Sequence, residues 1–271
     1  MLKQRVITGL ILALLAALSV YLLPTSLFAQ ISLLFIVGIG LWEWSALTGL
    51  SQGVKHGMVV LSALVLGECF LWWNLPVLPF LLFSVLLWLG IALLLSKYPK
   101  RTGFYTDHPW VLRLAGVVVL LSAWYALVAL HTVSYVYVFY LICLIAFADI
   151  GAYFVGKRFG KHKLAPALSP GKTREGALGG LVLALCWAGI CALWGAYSLP
   201  QALVFISFSI LAVLASIAGD LFESLVKRQA GVKDSGYLLP GHGGVLDRVD
   251  SLVAATPFFM LGLLWIGVMQ A

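Results

Sequence analysis

"VSYVYVFYLICLIAFADIGAYFVGKR", residues 133–158, is apolar up to its basic end except for one carboxylate, Asp149. An α-helix rises about 1.5 Å per residue, so roughly 20 apolar residues cross a hydrocarbon core. Residues 133–156 meet that length, and Lys157 and Arg158 close the run. The stretch therefore reads as a membrane helix that carries an acid. The same measure applied outward gives further spans at about 5–23, 26–46, 57–74, 77–96, 111–130, 176–196, 202–226 and 250–270. The whole chain agrees: it is 62% hydrophobic and 10% charged, against roughly 25% charged in soluble domains. Its mean hydropathy is +1.06. The expected fold is an all-α polytopic integral membrane protein of about nine transmembrane helices. No polar stretch is long enough for a separate soluble domain and no internal repeat is visible. Residues 1–271 read as one membrane domain, with an N-terminal helical part over about 1–130 and the polar motifs in 133–271.

The N-terminus, "MLKQRVITGLILALLAALSVYLLP", starts basic and turns apolar as a signal peptide does. The run over 6–23 is long for such a segment, and Leu27 replaces the small residue expected two places before Ala29. An uncleaved first helix is expected. Connections after the odd-numbered spans are short and uncharged, while the others are longer and basic. All 17 Lys and Arg fall at the N-terminus, in the connections after even-numbered spans, or at the edges of those spans. The positive-inside rule then puts the N-terminus in the cytoplasm and the C-terminus outside. It also explains the net charge of +7 as topology rather than nucleic-acid binding. Cys69, Cys143, Cys186 and Cys191 sit in apolar runs without metal-site spacing and read as small apolar side chains.

Acids in such a chain need a reason. Asp149 lies inside the sixth run; Asp220 and Glu223 lie near the cytoplasmic end of the eighth; Asp247 and Asp250 open the ninth. A carboxylate near the membrane core costs a few kcal/mol or more unless paired, metal-bound or facing water. Three spans therefore place acids at one cytoplasmic level. Asp220, Glu223 and Lys227 share one helical face, as do Asp247 and Asp250. Converging carboxylates are what a hard cation such as Mg²⁺ requires. The nearby lysines and arginines suit phosphate oxygens, and "GHGG" before Asp247 gives backbone that can approach a phosphate at a helix N-terminus.

Blander readings stand beside these. Asp250 alone would read as a residue offsetting a helix dipole. Lys157, Arg158, Lys161 and Lys163 fit topology and anionic-lipid contact, and His56, His108, His131 and His162 fit interfacial positions. Glu43 lies near the cytoplasmic side of the second span and is an open candidate for the site; Glu68 lies toward the opposite side. In "SPGKTREGALGG", residues 169–180, the Gly-Lys-Thr triplet looks like a Walker A ending, but Pro166 occupies the first glycine's place and no strand is expected before it. Lys172, Thr173 and Arg174 still suit a nucleotide or phosphate.

The pattern Ser224-x-x-Lys227-Arg228-x4-Lys233-Asp234-x5-Pro240-x-His242-Gly243-Gly244-x-x-Asp247-Arg248-x-Asp250 resembles the signature of the phosphatidate cytidylyltransferases. "SPGKTREG" is similar to that family's "SPKKTxEG", with Gly171 at a frequent lysine position and Lys172, Thr173, Glu175 and Gly176 in register. The resemblance runs from about Asp149 to the C-terminus, with "EW" at Glu43-Trp44 in the N-terminal half. It implies transfer of CMP from CTP to phosphatidate, giving CDP-diacylglycerol and pyrophosphate, with Mg²⁺ required and a second cation such as K⁺ as an option. The implied catalytic set is Asp220, Asp247, Lys227, His242 and Asp250, with Asp220, Asp247, Asp149 and Asp250 as cation ligands. Lys172, Thr173, Arg174, Glu175, Arg228, Lys233 and Arg248 would meet the nucleotide and lipid phosphates. His242 is read as a phosphate donor rather than a base, because phosphatidate is already ionised near neutral pH. Expected partners are CTP, phosphatidate and membrane lipids, without nucleic acid; a homodimer is compatible with this. The expected location is a bacterial-type inner membrane, with the site facing the cytoplasm. A CTP-dependent lipid kinase, attacking the γ-phosphorus, is the nearest rival. A cation-coupled transporter would call for acids at the bilayer midplane and an inverted repeat.

Overall fold

The computed structural model describes residues 2–50, 53–73, 75–98, 108–239, 241 and 243–268. Among them the chain forms the helices α1 (Leu2–Leu22), α2 (Thr25–Leu47), α3 (Val54–Trp72), α4 (Val77–Ser96), α5 (Pro109–Val133), α6 (Tyr135–Phe159), α7 (Arg174–Trp194), α8 (Leu199–Gln229) and α9 (Leu246–Trp265). Eight of these described helices are long and apolar enough to cross a membrane, and α1 adds the shorter apolar stretch Thr8–Leu22. The protein is an all-α polytopic membrane protein.

The centre is α5. Every residue from Val119 to His131 is buried, which its lack of any polar stripe permits. Around it pack α2, α3, α4, α6 and α9. Buried polar groups on α5 are paired: Trp124 donates to the Ala29 carbonyl at 3.0 Å, and His131 bonds Thr25 Oγ1 and the Val20 carbonyl, both at 3.0 Å. The Trp124 contact lies just before a π-helical stretch, Leu33–Ile39, within α2. Such a stretch changes which face of a helix points inward beyond it. Large apolar side chains such as Leu86, Leu93, Phe154 and Leu178 face outward, as a lipid-facing surface requires.

The helix pairs α6–α7 and α8–α9 make the most extensive contacts. In the first, a Cβ at Gly180 would lie 2.6 Å from the Ala148 carbonyl oxygen. In the second, a Cβ at Gly219 would lie 2.5 Å from the Asp250 carbonyl oxygen. Small residues thus let the backbones touch, and the second contact sets Asp220, Glu223 and Lys227 against the first turns of α9.

Three local expectations are corrected. The ninth helix starts at Leu246, not near 250, so Asp247 and Asp250 lie inside its first two turns. The eighth extends to Leu199–Gln229 because Ser198 and Gln201 form a capping box at its start. Its 31 residues amount to roughly 46 Å, against about 30 Å of hydrocarbon. And a strand does precede the Gly-Lys-Thr triplet: β1 (Lys163–Ala165) pairs antiparallel with β2 (Ser169–Thr173). Pro166 and Pro170 forbid helix here, while a two-stranded hairpin tolerates proline at its edge.

Candidate active site

The site is built where α8 meets α9. Lys227, only 8% exposed, donates to Glu223 Oε2 at 2.8 Å and to Asp247 Oδ1 at 2.6 Å. The other Asp247 oxygen accepts from the Ser235 amide at 2.9 Å, the Ser235 hydroxyl at 2.9 Å and the Gly244 amide at 2.8 Å. Asp247 therefore fixes both the lysine and the segment that leads into its own helix. Such charge-assisted bonds are about twice as strong as neutral ones.

Two turns before Lys227 on α8, Asp220 forms an ion pair with Lys172 and accepts from the Ser224 hydroxyl at 3.4 Å. Asp149 from α6 and Asp250 from α9 stand within electrostatic reach of both Asp220 and Lys172. The structure thus gathers Asp149, Asp220, Glu223, Asp247 and Asp250 with Lys172 and Lys227 at one end of the bundle. Asp149 and Lys172 also line a groove of about 360 Å³ between α6, α7 and α8, with Ala152 and Ile217 on its apolar wall.

The hairpin that carries Lys172 is tied down on both sides. Thr173 caps α7 by accepting from the Gly176 amide at 3.1 Å. Glu175 accepts from the Lys161 amide at 3.1 Å and from His162 Nδ1 at 2.6 Å. Arg228 donates to the Leu168 carbonyl at 3.4 Å and to Val232 at 3.3 Å. These three side chains, expected from the motifs to meet a nucleotide, are engaged in bracing the hairpin against α7 and α8. Arg174, Lys233 and Arg248 are exposed. His242 lies outside the described residues.

Glu43, which the sequence leaves open, belongs to this site. From α2 it accepts from the Val245 amide at 3.0 Å, the Leu246 amide at 2.9 Å and the Ser235 hydroxyl at 3.0 Å. Its "EW" context gives no hint of these partners, which are about 190 positions away.

Among the described residues no three His, Cys, Asp or Glu side chains stand together as a ready metal cage. The donor set is nevertheless all carboxylate oxygen, which is the chemistry of a hard cation. Glu223 Oε1 is buried without a hydrogen-bond partner, and Asp250 is its electrostatic neighbour. An unpartnered buried carboxyl oxygen beside other carboxylates fits a bound cation.

The model of the cytidylyltransferase family matches residues 3–265. The chain is 42% identical over 272 residues to the phosphatidate cytidylyltransferase of Pseudomonas aeruginosa, an alignment that covers 98% of this chain and 97% of the relative. It is 38% identical over 283 residues to the phosphatidate cytidylyltransferase of Haemophilus influenzae, covering 96% and 97%. For the phosphatidate cytidylyltransferase of Bacillus subtilis the identity is 40% over 186 residues, or 67% of each chain. The family match reaches from α1 through α9 and takes in Glu43, Lys172 and every acid of the α8–α9 contact; the chain belongs to the cytidylyltransferase family.

Proposed function

We propose that this chain is a membrane nucleotidyltransferase that moves CMP from CTP to phosphatidate, forming CDP-diacylglycerol and pyrophosphate. Its family membership and full-length relatives support the reaction. The observation that ties it to residues is the pairing of Lys227 with Glu223 and Asp247 beside the Lys172–Asp220 pair. In-line attack of the phosphatidate oxygen on the α-phosphorus joins two anions, so the site must align them and neutralise charge. Lys172, Lys233 and Arg248 receive phosphate oxygens, with Arg174 at the rim. Thr173, Glu175 and Arg228 keep the Lys172 hairpin in place. His242 donates to a phosphate, and phosphatidate needs no strong base.

Mg²⁺ would be held by Asp220 and Asp247 with support from Asp149 and Asp250, and a K⁺ could share the cluster. A bound cation supplies charge neutralisation at the phosphates. Because Lys172 and Lys227 occupy Asp220 and Asp247, each lysine can pass from carboxylate to phosphate as substrate arrives. The groove between α6, α7 and α8 suits an acyl-bearing substrate, being apolar on its walls and basic at Lys172.

The distribution of the 17 basic residues supports nine spans with a cytoplasmic N-terminus, an outside C-terminus and a site facing the cytoplasm, and the bacterial relatives support an inner-membrane location. The chain is one domain and is compatible with a homodimer. Purified protein with CTP labelled in the base and the γ-phosphate, plus phosphatidate and Mg²⁺, tests the reading. Labelled pyrophosphate with CMP on the lipid supports it, and release of CDP with a phosphorylated lipid refutes it in favour of a kinase.

A further inference from the structure

Glu43 is 5% exposed and sits in α2, far in sequence from the acids that serve the reaction. A buried carboxylate is tolerated when its oxygens are hydrogen-bonded. All three of its bonds go to the segment that enters α9: the amides of Val245 and Leu246 and the hydroxyl of Ser235. That hydroxyl lies 3.0 Å from Glu43 and 2.9 Å from Asp247, yet it carries one proton. The two carboxylates therefore share a single donor, and moving one moves the other. Space for the arrangement is reserved, since a Cβ at Gly236 would fall 2.7 Å from Glu43 Oε1. The charge also lies at the N-terminus of α9, where an anion is favoured.

We propose that Glu43 is a positioning residue for nucleotidyl transfer. It anchors Ser235, Val245 and Leu246 on α2 and thereby sets Asp247, and through Asp247 the Lys227 ammonium. The proposal rests on the reading that Asp247 and Lys227 serve the reaction. Glu43 itself does not touch substrate; it acts through the Ser235 hydroxyl and the first amides of α9.

Glu43→Gln is the first variant. It keeps the shape but must turn one amide nitrogen toward donors. The expected result is a fall in kcat of at least tenfold. CTP should still bind with one-to-one stoichiometry, and the Val245 and Leu246 amides should exchange faster with solvent. A merely structural defect would lower the binding stoichiometry in step with activity. Turnover within threefold of the parent overturns the proposal, as does a loss of activity matched by an equal loss of CTP sites. If Glu43→Gln does not fold, Ser235→Ala decides. A kcat loss above threefold with full CTP stoichiometry supports the shared-hydroxyl link, and unchanged kcat overturns it. Asp247→Asn runs alongside: normal turnover there sinks the assignment of Asp247 itself, whereas its loss with an unaffected Glu43→Gln sinks only the positioning role.

Discussion

Replacing Lys227 with Met removes a charge and little volume, so it isolates one electrostatic arrangement. The ammonium sits 2.8 Å from Glu223 and 2.6 Å from Asp247, and the three side chains are 10%, 4% and 7% exposed. Exposed ion pairs contribute about 0.2–1 kcal/mol. Breaking a buried pair by removing one partner costs about 3–5 kcal/mol, because a charge is stranded. At these exposures the buried figure applies, and two carboxylates lose the same cation. Glu223 is hit hardest, since its second oxygen has no partner to begin with. Adding Glu223→Gln to Lys227→Met removes one of the stranded charges, and the loss should shrink toward about 1–3 kcal/mol, the cost of unmet neutral hydrogen bonds. Unfolding by SDS in detergent micelles, followed through the ten tryptophans, gives both numbers. A Lys227→Met loss below about 1 kcal/mol, or a double variant no more stable than the single one, would refute the buried ion-pair reasoning.

The active-site reading predicts that Asp220→Asn and Asp247→Asn each lower kcat by about 10²–10³-fold, the scale of removing one well-placed electrostatic group; turnover of CTP and phosphatidate measures it. Gly219→Leu should destabilise the protein by about 1–3 kcal/mol or more by overpacking the α8–α9 contact, seen in the same SDS titration. Chelation with EDTA should abolish turnover, and added Mg²⁺ should restore it while leaving the helical circular-dichroism signal unchanged.

The helices and their order were legible because membrane burial acts on every residue of a span, and because the basic residues mark alternate connections. The acids at Asp149 and Asp220 were legible for the same reason, each standing out against an apolar run, and Asp247 because it opens an apolar helix after a polar passage. The hairpin from Lys163 to Thr173 was not, since strands of three and five residues carry too little periodicity to read. The start of α9 was misplaced because its first turn is stabilised from outside, by Glu43, rather than by a cap in its own sequence. The hydrogen-bond partners of Thr173 and Glu175 were hidden likewise, because a motif gives spacing but not which neighbour a side chain turns to. Glu43 itself could be placed only by the fold, since its partners lie about 190 positions on.

That separation also has a consequence for how the protein is made. The helix bearing Glu43 leaves the ribosome long before the partners of that side chain exist. At about 5–20 residues per second, 192 residues take roughly 10 to 40 s to synthesise. During that interval a carboxylate waits near the membrane surface with none of its three final donors available. The N-terminal helices can be inserted in order and α2 can pack on α3 and α5, but the Glu43 contacts form only after the segment around Ser235 arrives. A nascent protein that stops before Ser235 therefore leaves that acid without any of its native partners.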